Sequence, residues 1–449
     1  MRVKQRALAA LTLAACLLSG CLGSSDSVPE PPSPSSPATP LAETGGGAGG
    51  TASGTAGSAE APSPAPVEPP PLPPPSEATL VAVGDVMMHT PMLPGAYDES
   101  SGTYDFSGFF APLRTMFEEA DWAVANLETP IAGDERGFRG YPLFNAPVAL
   151  ADALAEAGFD VVSTANNHSL DQGFSGLVHT LGALRDRGVL PVGTAESEEA
   201  SNELTIVEKN GIRNAFLSYT YGTNGIPIPK DKPFAVNLID DARIAKDIAG
   251  AEAAGADVVT VSLHFGNEYQ REPTDEQRRV ARRAIEAGAD VVLGHHPHVV
   301  QPYERIRVED EDGKTREGVV IYSLGNFISN QFGSYKEYGA ALQVTFRKTY
   351  QANGASMTTV SEVDAIPTWV HKYVSGGKSR YRVLSLDDIK QESGDPLLTP
   401  RMISNLIETS AELNRHMDKL TAEIDQAPSG TNGTESAAAN VSPTTYTGQ

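Results

Sequence analysis

The sequence predicts an α/β fold, a four-layer α/β/β/α sandwich in which a largely parallel sheet carries helices and packs on a second sheet. Three observations carry this prediction. Short apolar runs alternate with longer Ala/Leu/Glu-rich segments of helical period. Acid, amide and imidazole residues recur just after those apolar runs. Toward the end of the domain, β-type runs follow one another across Gly- and Asn-containing turns. Repeated strand–helix–strand units make parallel sheets whose functional residues gather at the carboxyl ends of the strands.

Taken in order, the apolar runs predict strands over 79–86, 122–125, 160–163, 257–263 and 290–293. The intervening periodic segments predict helices over 110–120, 147–157, 173–187, 240–254 and 274–287. Runs over 318–323, 339–349, 357–365 and 379–386 read as antiparallel strands, and these are expected to build the second sheet. Ile403, Ile407, Leu413, Met417 and Leu420 recur at helical spacing, so a helix is expected within 400–424, packed on the domain or on a partner.

The two ends read differently. Arg2, Lys4 and Arg6 precede an Ala/Leu-rich stretch that closes on Leu18-Ser19-Gly20-Cys21. This pattern predicts an export signal over 1–20 and a lipidated Cys21 as first mature residue, holding the protein to the cell membrane outside the cytoplasm. The apolar run is too short to remain as a membrane span. Removal of Cys16 with the signal leaves no thiol pair, so stability is expected from burial rather than disulfides. Residues 21–77 are rich in Ser, Pro, Gly, Ala and Thr and predict a disordered stalk. A domain over 78–390, a helical segment over 391–425 and a disordered polar tail over 426–449 complete the expected organisation.

Lys and Arg total 34 against 57 Asp and Glu, a formal charge of −23. That balance argues against nucleic acid as a partner and against broad contact with an acidic polymer. The local exception is Arg278, Arg279, Arg282 and Arg283 at helical spacing. A solvated helix face balanced by Glu276 and Glu286 explains that stripe better than an anion-docking patch.

Six clusters hold nearly all the metal-ligand chemistry: Gly84-Asp85, Asn126-Leu127-Glu128, Asn166-Asn167-His168, His264, His295-His296-Pro297-His298 and Gly325-Asn326. Acid, then Asn-His, then a lone His, then His-x-His, each after an apolar run, is the ligand order of a two-metal phosphoesterase. Pro297 favours an extended local backbone. His296 and His298 then face one side, roughly 6 to 7 Å apart, and His295 the other.

The strings Val-Gly-Asp-Val-Met (83–87), Ala-Asn-Leu-Glu-Thr-Pro (125–130), Ala-Asn-Asn-His-Ser-Leu-Asp (165–171), Leu-His-Phe-Gly-Asn-Glu-Tyr (263–269), Gly-His-His-Pro-His-Val-Val-Gln (294–301) and Tyr-Ser-Leu-Gly-Asn-Phe (322–327) resemble the CapA family. These are bacterial capsule-synthesis or poly-γ-glutamate-synthesis proteins on the calcineurin-like metallophosphoesterase fold. The resemblance implies a role in making that polymer beside membrane proteins. It also implies a site for two divalent transition-metal ions, Mn, Fe or Zn, or for one alone.

Residue by residue, the resemblance implies Asp85, Glu128, Asn167, His264, His296 and His298 as metal ligands. Glu128 takes the place of a bridging Asp, with Asn126 as the alternative at that point. It further implies His168 as the group serving the leaving oxygen, with Asn166, a further candidate for the metal or for supporting its ligands, where the family motif has Gly. One departure matters: the phosphoesterase pattern opens Asp-x-His, and here Met87 fills the last position. His89 supplies the missing imidazole only if the backbone turns back after Met88. Glu268 and Arg271 are expected beside the substrate mouth, with an exposed ion pair as the other reading of Arg271. Asp171 is expected to cap the helix that starts at Gly173, and Gly325-Asn326 to form a turn. Two functions stay open: a phosphoester hydrolase, or an accessory protein that keeps the metal site for binding or positioning.

Overall fold

The computed structural model describes residues 71–309, 313 and 315–421. The expected signal, Cys21, most of the stalk and the tail over 426–449 lie outside them.

Strand β1 (Ser76–Val86) explains the architecture. Along it Leu80 and Ala82 join one apolar cluster, while Val81 and Val83 join another. Successive side chains of a strand point to opposite faces, so β1 is buried on both. Its inner face meets residues of the second sheet, Phe216, Val258, Leu293 and Ile321 among them. Its outer face meets Leu150 and Leu154 of the helix Ala149–Ala157, with Phe109, Phe110 and Phe117.

The first sheet runs β16 (Lys378–Ser385), β15 (Ser356–Ser375), β14 (Tyr338–Tyr350), β1, β4 (Trp122–Leu127), β5 (Val161–Ser163) and β6 (Leu190–Val192). The short β13 (Asn326–Ile328) pairs with the end of β1. The second sheet runs β11 (Val300–Glu309), β12 (Thr315–Leu324), β10 (Val291–His295), β9 (Val258–His264), β8 (Ile212–Thr220) and β7 (Thr205–Lys209). A small hairpin of β2 (Tyr97–Asp98) and β3 (Thr103–Tyr104) stands apart. Helices Asp241–Ala253 and Asp275–Glu286 cover the outer face of the second sheet through Ile244, Ile248, Val280 and Ala284. The expected α/β/β/α sandwich is therefore present.

Its strands are distributed otherwise than expected. The late antiparallel strands β14, β15 and β16 extend the first sheet, with β14 pairing β1 antiparallel from Ser76 to Val83. The second sheet takes the parallel strands β8, β9, β10 and β12. Apolar period marks a buried strand but not its neighbour, and β1 has two edges to satisfy. The helix expected over 110–120 is also broken, into Ser107–Phe110, a 3-10 turn Ala111–Leu113 and Arg114–Glu119. Pro112 lies in that turn, where it has no N–H to donate to a continuing helix.

The late helix Pro400–Met417 starts at Thr399, whose Oγ1 accepts the Met402 amide at 3.2 Å. It packs on the domain, burying Leu406 and Leu413 against Leu384, Leu386, Ile389 and Leu398.

Candidate metal centre

Both sheets aim the ends of their parallel strands at one place. In the first sheet Asp85 of β1 stands in register with Asn126 of β4, and Asn126 with Ser163 of β5, three residues before Asn166. In the second, His264 of β9 is in register with His295 of β10. Two glycines allow this convergence. A Cβ on Gly84 would lie 1.8 Å from the Gly325 carbonyl oxygen, and one on Gly294 would lie 2.0 Å from that of Tyr322.

Asp85, Glu128, His264, His295, His296 and His298 are all buried there. Asp85 Oδ2 lies 3.0 Å from His298 Nδ1, and Oδ1 lies 3.4 Å from His295 Nδ1. Glu128 Oε1 lies 3.5 Å from His264 Nε2 and 3.8 Å from His298 Nε2. Asn167 Oδ1 lies 3.1 Å from His264 Nε2. Potential ligand atoms fall into three overlapping groups, each spanning 4.8 Å or less: Glu128 with His264 and His296; Asp85 with Glu128 and His298; Glu268 with His296 and His298. Glu128 belongs to the first two. The six residues whose ligand roles the resemblance implies therefore stand together.

The polar balance fits divalent cations. Glu128 Oε1, both nitrogens of His295 and His296 Nδ1 are buried without a hydrogen-bond partner. Such groups cost on the order of 1–3 kcal/mol each when left unpaired, and carboxylate oxygen with imidazole nitrogen is the donor set of Mn, Fe or Zn. Burial alone would raise the Asp85 pKa, but His295 and His298 beside the carboxyl hold it well below the usual range. Burial, reinforced by the charge of Asp85, pushes Glu128 well above its ordinary value. Burial lowers His296 to about 3 and holds His264 well below its usual value. Neutral imidazoles keep a lone pair free for a metal.

Other expected residues take different places. Asn126 Nδ2 donates to Asp85 Oδ1 at 2.8 Å and its Oδ1 accepts from Asn166 at 3.2 Å, so both ends of its amide are engaged by protein groups. Asn166 also donates to the Leu127 carbonyl and accepts the His168 amide, which makes it the brace of its own loop. The chain does turn after β1, with His89 preceding the 3-10 turn Thr90–Met92. His89 accepts the Asn330 amide at 3.3 Å and lies outside the three ligand groups. Met87 is buried where an imidazole was expected. Arg271 turns from the centre to pair with Glu412 at 2.9 Å and to stack 3.9 Å over the Tyr335 ring.

Three expectations of local geometry are corrected. The segment at Pro297 is not extended: His296 has φ 97° and His298 φ 57°. Such left-handed backbone costs a non-glycine residue about 1–3 kcal/mol and persists where surroundings enforce it. His295 consequently does not point away. It ends β10 in register with His264, and in-register parallel neighbours share a face. Asp171 caps no helix, since Gln172 occupies that position; its Oδ2 lies 2.7 Å from His168 Nδ1. The His-x-x-Asp spacing was the signal for that pair.

Tyr221 and Asn224 were not foreseen. The Tyr221 ring sits 4.8 Å from that of His296, and Asn224 Nδ2 lies 3.4 Å from His168 Nε2. Both occupy the loop after β8, where no periodic signal points to a site.

A four-layer sandwich with Asp, Glu, Asn and His converging from the strand ends of two sheets defines a protein of metallophosphoesterase type. The family described as bacterial capsule synthesis protein PGA_cap matches residues 79–331, more than half of the chain. The chain belongs to that family. It is 30% identical to the PGA biosynthesis protein CapA of Bacillus subtilis, over 68% of this chain and 77% of that one. It is 28% identical to the capsule biosynthesis protein CapA of Bacillus anthracis, over 60% of this chain and 64% of that protein, just under two thirds of its length. Among solved structures, a 5'-nucleotidase precursor from Thermus thermophilus aligns at 15% identity and a TM-score of 0.40, covering 78% of this chain and 60% of that one.

Proposed function

We propose that this chain is a lipid-anchored, extracytoplasmic accessory protein of capsule or poly-γ-glutamate synthesis that holds two divalent transition-metal ions. One observation carries the metal reading: buried Glu128 belongs both to the ligand group of His264 and His296 and to that of Asp85 and His298. A carboxylate so placed would serve two cations, and Asn167 Oδ1, 3.1 Å from His264 Nε2, would join the first group. Family membership and the likeness to the two Bacillus proteins support the role in polymer synthesis. The basic, apolar and Cys21-terminated start of the chain supports the lipid anchor. Membrane proteins of polymer synthesis are the proposed partners, and the net charge of −23 disfavours nucleic acid.

A second reading, hydrolysis of an envelope phosphoester, is favoured by the His168–Asp171 contact. Two metals polarise a phosphoryl oxygen and lower the pKa of water. Asp171 fixes the His168 ring through Nδ1 and so presents Nε2, which faces Asn224, as the nitrogen that would serve a leaving oxygen.

Elemental analysis decides the metal reading. About two transition-metal ions per chain, reduced in Asp85→Ala and His296→Ala and absent from Glu128→Ala, are expected. No bound metal after incubation with Mn²⁺ or Zn²⁺ would overturn it. Mass analysis of the N-terminal peptide tests the anchor, which requires an acylated Cys21.

A further inference from the structure

The two halves of the centre are unequally furnished. The first has Glu128, His264 and His296, with Asn167 beside them. The second has Asp85, Glu128 and His298, and Met87 occupies the position of the imidazole expected there. A thioether is a soft donor, poorly matched to the divalent ions that carboxylate and imidazole select. The second group thus lacks the imidazole expected from β1, and on its β10 side His295 Nδ1 stands 3.4 Å from Asp85 Oδ1.

Glu268 reaches the centre from the opposite sheet. It lies in the loop after β9, and its carboxylate joins His296 and His298 in a group spanning no more than 4.8 Å. That loop is held in place. The Tyr269 amide donates to the Pro297 carbonyl at 2.7 Å, tying it to the bend that carries both histidines. Tyr269 itself takes φ 64° to make the turn. Buried Gln301 donates to the carbonyls of Gln270 at 2.8 Å and Glu272 at 3.1 Å, anchoring the next residues. In the same group, His296 has its Nδ1 buried and unpartnered. Glu268 is itself exposed, so its carboxylate remains solvated until a cation arrives.

We infer that Glu268 is a metal ligand, which from the β9 loop would hold a cation together with His296 and His298 and, through the shared His298, would supplement the group of Asp85, Glu128 and His298. This rests on the dinuclear reading above and adds a ligand that the resemblance does not imply. The loop residue then couples metal occupancy to the shape of the mouth, because the segment carrying Glu268 also carries Tyr269 at the rim.

The test uses the full chain, stripped with a chelator and titrated with Mn²⁺ or Zn²⁺, comparing wild type with Glu268→Gln. Wild type is expected to take up two ions. In Glu268→Gln one of the two ions should weaken at least ~10-fold while the other binds as in wild type. With Mn²⁺, the spin-coupled spectrum of a metal pair should give way to that of an isolated ion. Because Glu268 is exposed, the amide variant should keep the wild-type melting temperature, separating ligand loss from misfolding. Two ions bound by Glu268→Gln with wild-type affinity would overturn the assignment and leave the dinuclear reading standing. No ion bound by the wild-type chain would overturn both.

Discussion

Asp171 Oδ2 lies 2.7 Å from His168 Nδ1 and also accepts the Phe144 amide at 2.8 Å. Both partners are buried, and the Phe144 ring meets that of His168 edge-on at 4.7 Å. The carboxylate therefore keeps the Nδ1 proton in place and turns Nε2 toward the centre, where Asn224 meets it.

Asp171→Ala removes the single oxygen, Oδ2, that serves both His168 Nδ1 and the Phe144 amide, and leaves the His168 ring without its orienting partner. If the chain hydrolyses phosphoesters, kcat on a chromogenic phosphodiester should fall by about 100-fold or more, with metal content unchanged. An unchanged kcat would remove His168 from the chemistry.

Gly84→Ala tests the convergence of β1 on the loop that follows β12. The added methyl would meet the Gly325 oxygen at 1.8 Å, and the Asp85 amide donates to that same oxygen at 2.9 Å. Neither backbone can yield without moving Asp85. A loss of about 3 kcal/mol in denaturant unfolding is expected, with weakened metal uptake. Wild-type stability would mean that this approach is looser than described.

His371 gives a pH dependence remote from the metal centre. Burial, then the charge of Arg382, lower its pKa to about 4, and Arg382 Nε donates to Nδ1 at 3.1 Å, which requires an unprotonated nitrogen. The unfolded chain takes its proton near pH 6.5, so unfolding is promoted as pH falls. The stabilising term is complete above about 6.5 and disappears as pH drops toward 4, by about 2 kcal/mol after discounting for partial solvation. His371→Gln, which keeps an acceptor for Arg382, should flatten the melting temperature across that window. An unchanged slope would assign the acid sensitivity to other groups.

Arg271→Ala should loosen the late helix and leave the metal alone. The guanidinium joins Glu412 of Pro400–Met417 to Tyr335, and the His416 ring lies 3.1 Å from its carbonyl oxygen. Faster amide exchange in that helix and a loss of about 1 kcal/mol are expected. A drop in metal content would instead return Arg271 to the site.

Much of this was legible in the chain. Asp85, Glu128, Asn167, His264, His296 and His298 could be picked out because each follows an apolar run, and strand ends are where such a sheet exposes chemistry. Asp171 was misread because an acid before a helix commonly caps it. His295 was misread because alternation holds only while the backbone stays extended, and positive φ at His296 and His298 ends it.

The sequence by itself determined the alternation of strands and helices, the layered sandwich and the set of candidate ligands. Those follow from local periodicity, which reports how many faces of a segment are buried. Only the tertiary structure decided that β14 lies beside β1, that Glu128 belongs to two ligand groups, and that Glu268 reaches the histidines while Arg271 does not. These are pairings between residues far apart in the chain or bends of a few degrees of freedom. They depend on which groups meet after the sheets have packed, and no local pattern encodes that.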